Sequence, residues 1–226
     1  MIRGFATNRV LLVIDGVRMN NAIYRSGNLQ NIISIDALST QTAEVIFGPG
    51  SLIYGSDAIG GVMDFHTLEA RFAKEKKVLI TGSALARYST ANLENTFHTD
   101  INLGLKKWSF LSSFSYSKFD DLKMGKYGGQ DGYLRPEYVK IINGVDSIVK
   151  NPDPRIQRFS GYDQVNFLQK VRFKPTEHLD LQYSFTYAGT SEAPRYDRLI
   201  QYRNDTLRFA EWKYGPVLWR MHNLQM

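Results

Sequence analysis

The chain has 226 residues, a net charge of +6 at neutral pH and no cysteine, which excludes a disulfide framework and any thiolate metal site. Its basic residues are scattered among acidic ones with no run of five or more Lys or Arg, so it lacks the concentrated cationic surface of a nucleic-acid partner. Aromatic content is 13%, with 13 Tyr and 13 Phe, which suits strands and membrane interfaces better than helical bundles. No apolar run approaches the ~18 residues of a transmembrane helix; Val10–Ile14 is about the best. Met1-Ile2-Arg3-Gly4 does not open a signal peptide.

In chain order, Val10–Ile14 is expected to be a strand, followed by a polar loop, "VRMNNAIYRSGNLQN", from Val17 to Asn31. Ala43–Phe47 is a second short strand. The stretch after it, "VIFGPGSLIYGSDAIGGVMDF" (residues 45–65), is glycine-rich but does not bind phosphate. A Walker loop needs Lys and then Ser or Thr after its last glycine, whereas Gly60-Gly61 is followed by Val62-Met63. A dinucleotide fingerprint needs a third glycine that Gly48-Pro49-Gly50-Ser51-Leu52-Ile53 does not supply, and Asp57 has the wrong charge. A flexible linker would be polar, yet Ile53, Tyr54, Ile59, Val62, Met63 and Phe65 are not. The pattern fits a strand–turn–strand unit. Pro49 opens a single helical turn over Ser51–Tyr54, Gly55 ends it in the left-handed conformation, and Val62–His66 is the next strand.

From about residue 78 the chain alternates. Phe97, Thr99, Ile101, Leu103 and Leu105 share one face, with His98, Asp100, Asn102 and Gly104 on the other. Trp108, Phe110, Ser112, Phe114 and Tyr116 oppose Ser109, Ser113 and Ser115. Val165–Phe173 places Asn166, Lys170 and Arg172 on its polar side. Leu179, Leu181, Tyr183, Phe185 and Tyr187 oppose Asp180, Gln182, Ser184 and Thr186. Strands are expected at 78–88, 95–106, 107–119, 164–174, 178–189 and 215–226, each antiparallel to its neighbour in sequence. A soluble sandwich alternates in the same way. Two features favour a membrane barrel: apolar faces that end in Trp108, Tyr116, Tyr187 and Trp219, and short turns at Lys106-Lys107 and Pro175-Thr176 set against long connections at 119–163 and 189–213.

"IRGF" (Ile2–Phe5), "VLLVIDGVRMN" (Val10–Asn20) and "AEVIFGPGSLIYGSDAIGGVMDF" (Ala43–Phe65) resemble, in order and spacing, the plug domain of TonB-dependent outer-membrane receptors. In that family a globular plug sits inside a barrel of about 22 strands. An energised inner-membrane complex acts on the plug to admit a scarce nutrient. The resemblance implies a mixed α+β plug followed by an all-β part, an incomplete transmembrane antiparallel β-barrel of about six strands. It implies a division into 1–68 (the C-terminal part of the plug), 69–77 (linker) and 78–226 (the first part of the barrel). Early plug strands and the TonB-contacting segment are expected before Met1, and further barrel strands after Met226. Phe47 stands where the family often carries Arg before Gly-Pro.

The same resemblance implies partners: the TonB complex, outer-membrane lipid, and haem, haemoglobin or a ferric siderophore as substrate, in a Gram-negative outer membrane. "NAIYRSGNLQNIISID" is similar to the haem-uptake branch, in which His can follow the glycine; here Asn28 follows Gly27. The candidate ligand contacts are Arg18 and Arg25, which can pair with anionic oxygens, Asn20, Asn21 and Asn28 as amide donors and acceptors, and Tyr24 as a stacking face. His98 on the first barrel hairpin is a candidate to reach a haem iron. For each of these the alternative reading is an ordinary solvated residue. No resident cofactor or metal and no catalytic set is expected: "YGSDAIGG" lacks Gly-x-Ser-x-Gly spacing, Asp120-Asp121 is a solvated strand end, and Asp131 with Glu137 does not match calcium-loop spacing. The competing classes are a secreted β-sandwich that binds a ligand or glycan and an enzyme on a β scaffold. A sandwich would bury the aromatic faces and a barrel would turn them outward.

Overall fold

The computed structural model describes residues 10–19, 34–48, 51–55, 58–74, 77–127 and 131–226. The N-terminal strands are β1 (Val10–Ile14), β2 (Val17–Arg18), β3 (Thr40–Phe47) and β4 (Gly61–Thr67). They form one sheet in the order β2-β1-β4-β3. β1 and β4 pair in parallel from Val10↔Gly61 to Ile14↔Phe65, and every residue of β1 is buried. A strand covered on both faces reads as a continuous apolar run, which is why Val10–Ile14 shows no alternation. Leu11 and Val13 pack with Ala58 and Val62, backed by Ile46 and Tyr54. The one-turn helix α1 (Ser51–Tyr54) ends at Gly55 with φ 89°, the left-handed stop expected there.

Six long strands follow: β5 (Leu79–Ser89), β6 (Glu94–Gly104), β7 (Trp108–Phe119), β10 (Tyr162–Phe173), β11 (Leu181–Thr190) and β12 (Leu218–Gln225). The numbers between belong to a hairpin, β8 (Glu137–Ile142) and β9 (Val145–Lys150), inserted after β7. The six form one antiparallel sheet in the order β12-β11-β10-β7-β6-β5. The turn after β6 and the turn after β10 lie side by side, with Lys174 N donating to Lys107 O at 2.8 Å. The second of these turns is longer than expected, because β11 starts at Leu181 and Arg172 instead grips Asp180 through two bonds of 2.8 and 2.7 Å.

The sheet is polar where it is covered and apolar where it is open. Asn102 and Ser113 are 2% and 1% exposed, whereas Phe97 and Ile101 are 48% and 55% exposed. Trp108 stacks on Phe173 at 4.1 Å and on Phe110 at 6.0 Å along the open face. A soluble sandwich requires the opposite arrangement. Trp219 departs from expectation. β12 pairs Trp219 with Ala188, which is buried on the covered face, so Trp219 turns inward and borders a small void with Ile14 and Leu168. The open face of β12 instead carries Arg220, above the Tyr187 ring, and His222, bonded to Tyr183.

Segment Leu68–Ala73 leaves β4 along the covered face. Ala70 and Leu68 pack on Leu111 and Leu168. A Cβ on Gly104 would collide with Arg71 O and come within 2.9 Å of Ala73 N, so only glycine admits this segment so close to the sheet. Gly104→Ala should cost about 1–3 kcal/mol, as overpacking does, and speed hydrogen exchange of the Arg71 and Ala73 amides. Unchanged exchange there would show that the segment is not pressed against the sheet.

Candidate functional site

The two sheets meet through polar groups, and Asp15 is the centre of that contact. Asp15 and Gly16 both have positive φ, 47° and 79°, the two-residue turn that an Asp-Gly pair favours between antiparallel strands. The turn projects the Asp15 carboxylate toward the six-stranded sheet. Its Oδ1 accepts from Thr67 N at 2.8 Å and its Oδ2 from Thr67 Oγ1 at 2.5 Å. Lys170 Nζ of β10 lies 3.0 Å from Asp15 Oδ2, with side-chain exposures of 3% and 9% for Lys and Asp. Gln225 Nε2 and Asn223 Nδ2 of β12 donate to the Asp15 carbonyl at 2.6 and 3.4 Å. Two charges removed from water are tolerated only when such additional bonds satisfy them.

A second contact runs through Asp36. Its Oδ1 caps the short 3-10 turn Ala37–Ser39 by accepting from Leu38 N at 3.0 Å. Its Oδ2 accepts from Ser39 Oγ at 2.5 Å and from Ser115 Oγ of β7 at 2.7 Å. Ser39 Oγ also meets Ser113 Oγ at 2.8 Å. In a third contact, Asn102 Nδ2 and Ser109 Oγ donate to Arg71 O at 3.0 and 2.8 Å.

Of the sequence-derived site residues, Arg18 and His98 lie among the described residues. Asn20, Asn21, Tyr24, Arg25 and Asn28 lie outside them. Arg18 is exposed on β2, with its Nη1 3.0 Å from where a Cβ on Gly55 would stand, so Gly55 leaves the guanidinium its place. His98 is 80 positions from Arg18 in the chain and sits inside the polar contact. Its Nδ1 is 2.7 Å from Ser115 Oγ and its Nε2 is 3.6 Å from Asp100 Oδ2. Because Ser115 already donates to Asp36, His98 Nδ1 is the donor to Ser115. That polarity is opposite to the one that activates a serine nucleophile, in which the imidazole accepts the hydroxyl proton.

A family model described as the TonB-dependent Receptor Plug Domain matches residues 1–62. Residues 1–62 thus carry the plug-domain pattern of the TonB-dependent outer-membrane receptors. It is 35% identical over 132 residues to the vitamin B12 transporter BtuB of Vibrio vulnificus, covering 58% of this chain and 20% of that protein. It is 35% identical over 69 residues to the hemin receptor of Yersinia enterocolitica, covering 30% of this chain and 10% of that one. The chain therefore spans about a fifth of the length of the B12 transporter it matches. Its fold is similar to that of the ferric enterobactin receptor PfeA of Pseudomonas aeruginosa, solved with enterobactin, at a TM-score of 0.52 and 18% identity over 84% of this chain and 26% of that one. The compartment of such receptors is the outer membrane of a Gram-negative cell.

The residues that the sequence pattern did not point to are those of the interface: Asp15, Asp36, Thr67 and Lys170. One signal was available for them. Lys170 is a cation in the middle of a strand whose inward residues include Leu168 and Asn166, and a cation in that position needs a buried anion. Lys170→Met would leave the Asp15 carboxylate buried without its cation. It should destabilise the receptor by about 3–5 kcal/mol, read as a lower urea midpoint, and adding Asp15→Asn should recover part of the loss. Equal midpoints for Lys170→Met and the unmodified receptor would show that the pair carries no weight.

Proposed function

We propose that this chain is the plug and first wall of a receptor that draws a scarce nutrient across the outer membrane, iron as haem, haemoglobin or a ferric siderophore. The division is 1–68 for the plug, 69–77 for the linker and 78–226 for barrel strands. The six-stranded sheet spans the bilayer with its open face in lipid. The observation that carries this is the polarity of that sheet: buried Asn102, Ser113 and Lys170 on one side, exposed Phe97 and Ile101 on the other. A lipid-facing apolar band and a polar interior are what a membrane barrel requires. The turns after β6 and β10 face the periplasm and the long excursions face outward.

The TonB complex is the energy-coupling partner. Substrate meets the loop from Val17 to Asn31, where Arg18 and Arg25 pair with its anionic oxygens and Asn20, Asn21, Tyr24 and Asn28 complete the contact. His98 belongs to the same proposal as a wall ligand for haem iron, a role that requires its ring to leave Ser115.

In the full receptor, Arg18→Ala with Arg25→Ala should lower substrate affinity by a hundredfold or more, the effect of losing two charge-assisted hydrogen bonds of about 1.5–3 kcal/mol each. Stability should change by no more than about 0.5 kcal/mol, as for surface sites. Haem, a ferric siderophore and cobalamin are titrated in parallel, the last because of the B12-transporter relative. Unmodified affinity for each bound substrate would move the site off this loop. An unchanged haem spectrum in His98→Ala would remove His98 as ligand.

A further inference from the structure

The connections 120–161 and 191–217 leave the same end of the six-stranded sheet and fold onto each other. Val139 of the β8–β9 hairpin packs with Leu207 and Ala210 of the second connection, and Tyr202 donates to Glu137 at 3.1 Å. Between them lies a cavity of about 280 Å³, whose lining includes Arg135, Glu137, Tyr138, Phe159, Tyr196 and Tyr202.

Two features of this cavity are costly unless they serve a ligand. Phe159 has φ 64°, a conformation that a bulky residue adopts only under constraint. The constraint is visible on both sides: Ser160 N donates to Asp121 Oδ1 at 2.9 Å, Ser160 Oγ donates to Gln157 O at 2.7 Å, and Arg158 pairs with Asp121 at 3.7 Å. The result sets the Phe159 ring edge-on to Tyr138 at 5.6 Å and 74°, while leaving it 41% exposed. The second feature is Arg135. It is half-buried, and among the described residues no carboxylate lies within ion-pair distance of it. Its Nη1 donates to the Gly132 and Leu134 carbonyls, each at 3.0 Å. A guanidinium partly withdrawn from water with no carboxylate paired directly to it carries a cost.

We propose that this cavity is a binding site for a single-ring aromatic anion. The ring rests against Phe159 and Tyr138, as offset or edge-on aromatic pairs do. The anionic group meets Arg135, which forms its strongest bonds with a planar carboxylate. The volume falls below the ~300–1,000 Å³ of sites for drug-sized molecules, so it suits one ring and not a metal chelate. None of its residues belongs to the Val17–Asn31 loop, so the proposal stands or falls apart from the transport site.

The test titrates benzoate into the full receptor by calorimetry, with cyclohexanecarboxylate and benzyl alcohol as probes that keep only the charge or only the ring. Benzoate should bind once per receptor, at least tenfold more tightly than either control. Arg135→Gln should weaken it at least tenfold, and the Arg18→Ala, Arg25→Ala receptor should bind it unchanged. Phe159→Gly removes the ring while relieving the positive φ, so weaker binding with undiminished stability could not be blamed on unfolding. The proposal is overturned if benzoate fails to bind at millimolar concentration or binds no better than the controls. It is also overturned if Phe159→Gly binds benzoate like the unmodified receptor, or if the Arg18, Arg25 variant loses it.

Discussion

The buried pair between Asp15 and Lys170 fixes how the two sheets of this receptor fit together. Lys170 points inward only in one register of β10. A one-residue slip would turn it, with Asn166 and Leu168, to the other face. Asp15 points at it only because the Asp15-Gly16 turn holds positive φ at both residues. The Thr67 backbone and hydroxyl secure the carboxylate, which ties the end of β4 to the same spot. The amides of Asn223 and Gln225 bring in β12. One charge pair thus joins β1, β4, β10 and β12, and failure of any one strand leaves a buried charge without its partner.

Around this pair the interface is made of hydroxyls and amides. Ser39 with Ser113, Asp36 with Ser115, and Arg71 with Asn102 and Ser109 satisfy one another across the gap. An apolar cluster of Ala70 and Leu68 against Leu111 and Leu168 lies among them. Hydrogen bonds of this kind are specific in geometry but contribute only about 0.5–1.5 kcal/mol each, because water is the alternative partner. Such an interface positions the plug closely without the hydrophobic grip of an obligate core. The charge pair is the exception, since its separation leaves both ions in a poor environment.

The strands of the six-stranded sheet were legible because alternation has a period of two and their length admits no helix. The helical turn at Ser51–Tyr54 and its stop at Gly55 were legible because glycine and proline constrain the backbone locally. Trp219 was misplaced because an aromatic at a strand end says nothing about register, which cross-strand pairing with Ala188 decides. The β8–β9 hairpin lies within the stretch expected as a long connection, although Asn143-Gly144, flanked by Ile142 and Val145, is a strong turn signal; both residues hold positive φ, 51° and 79°. The polar contacts of His98, Ser115 and Asp36 join residues up to 79 positions apart, and no local pattern announces them. The same limit applies to Arg135 and Phe159, ordinary loop residues until the fold sets them on one cavity.

The excursions retain their shape through contacts of another kind. Asp153 receives Arg155 and Lys123, and these cations hold its carboxyl well below the usual carboxylate range. Its contribution is therefore present at neutral pH and is lost only as pH falls through that depressed value. Burial raises the Tyr196 hydroxyl above its ordinary value, as it does for Tyr202, so both remain neutral hydrogen-bonding groups in the cavity. The central claim concerns the sheet beneath them: its open face lies in lipid and its covered face against the plug. Spin labels placed one at a time at residues 101, 102 and 103 of the receptor in a bilayer, read by power saturation with oxygen and a water-soluble nickel chelate, test it most directly. The account predicts high oxygen and low nickel accessibility at 101 and 103, and low oxygen accessibility at 102; nickel accessibility at 101 and 103 equal to that of an exposed loop would contradict it.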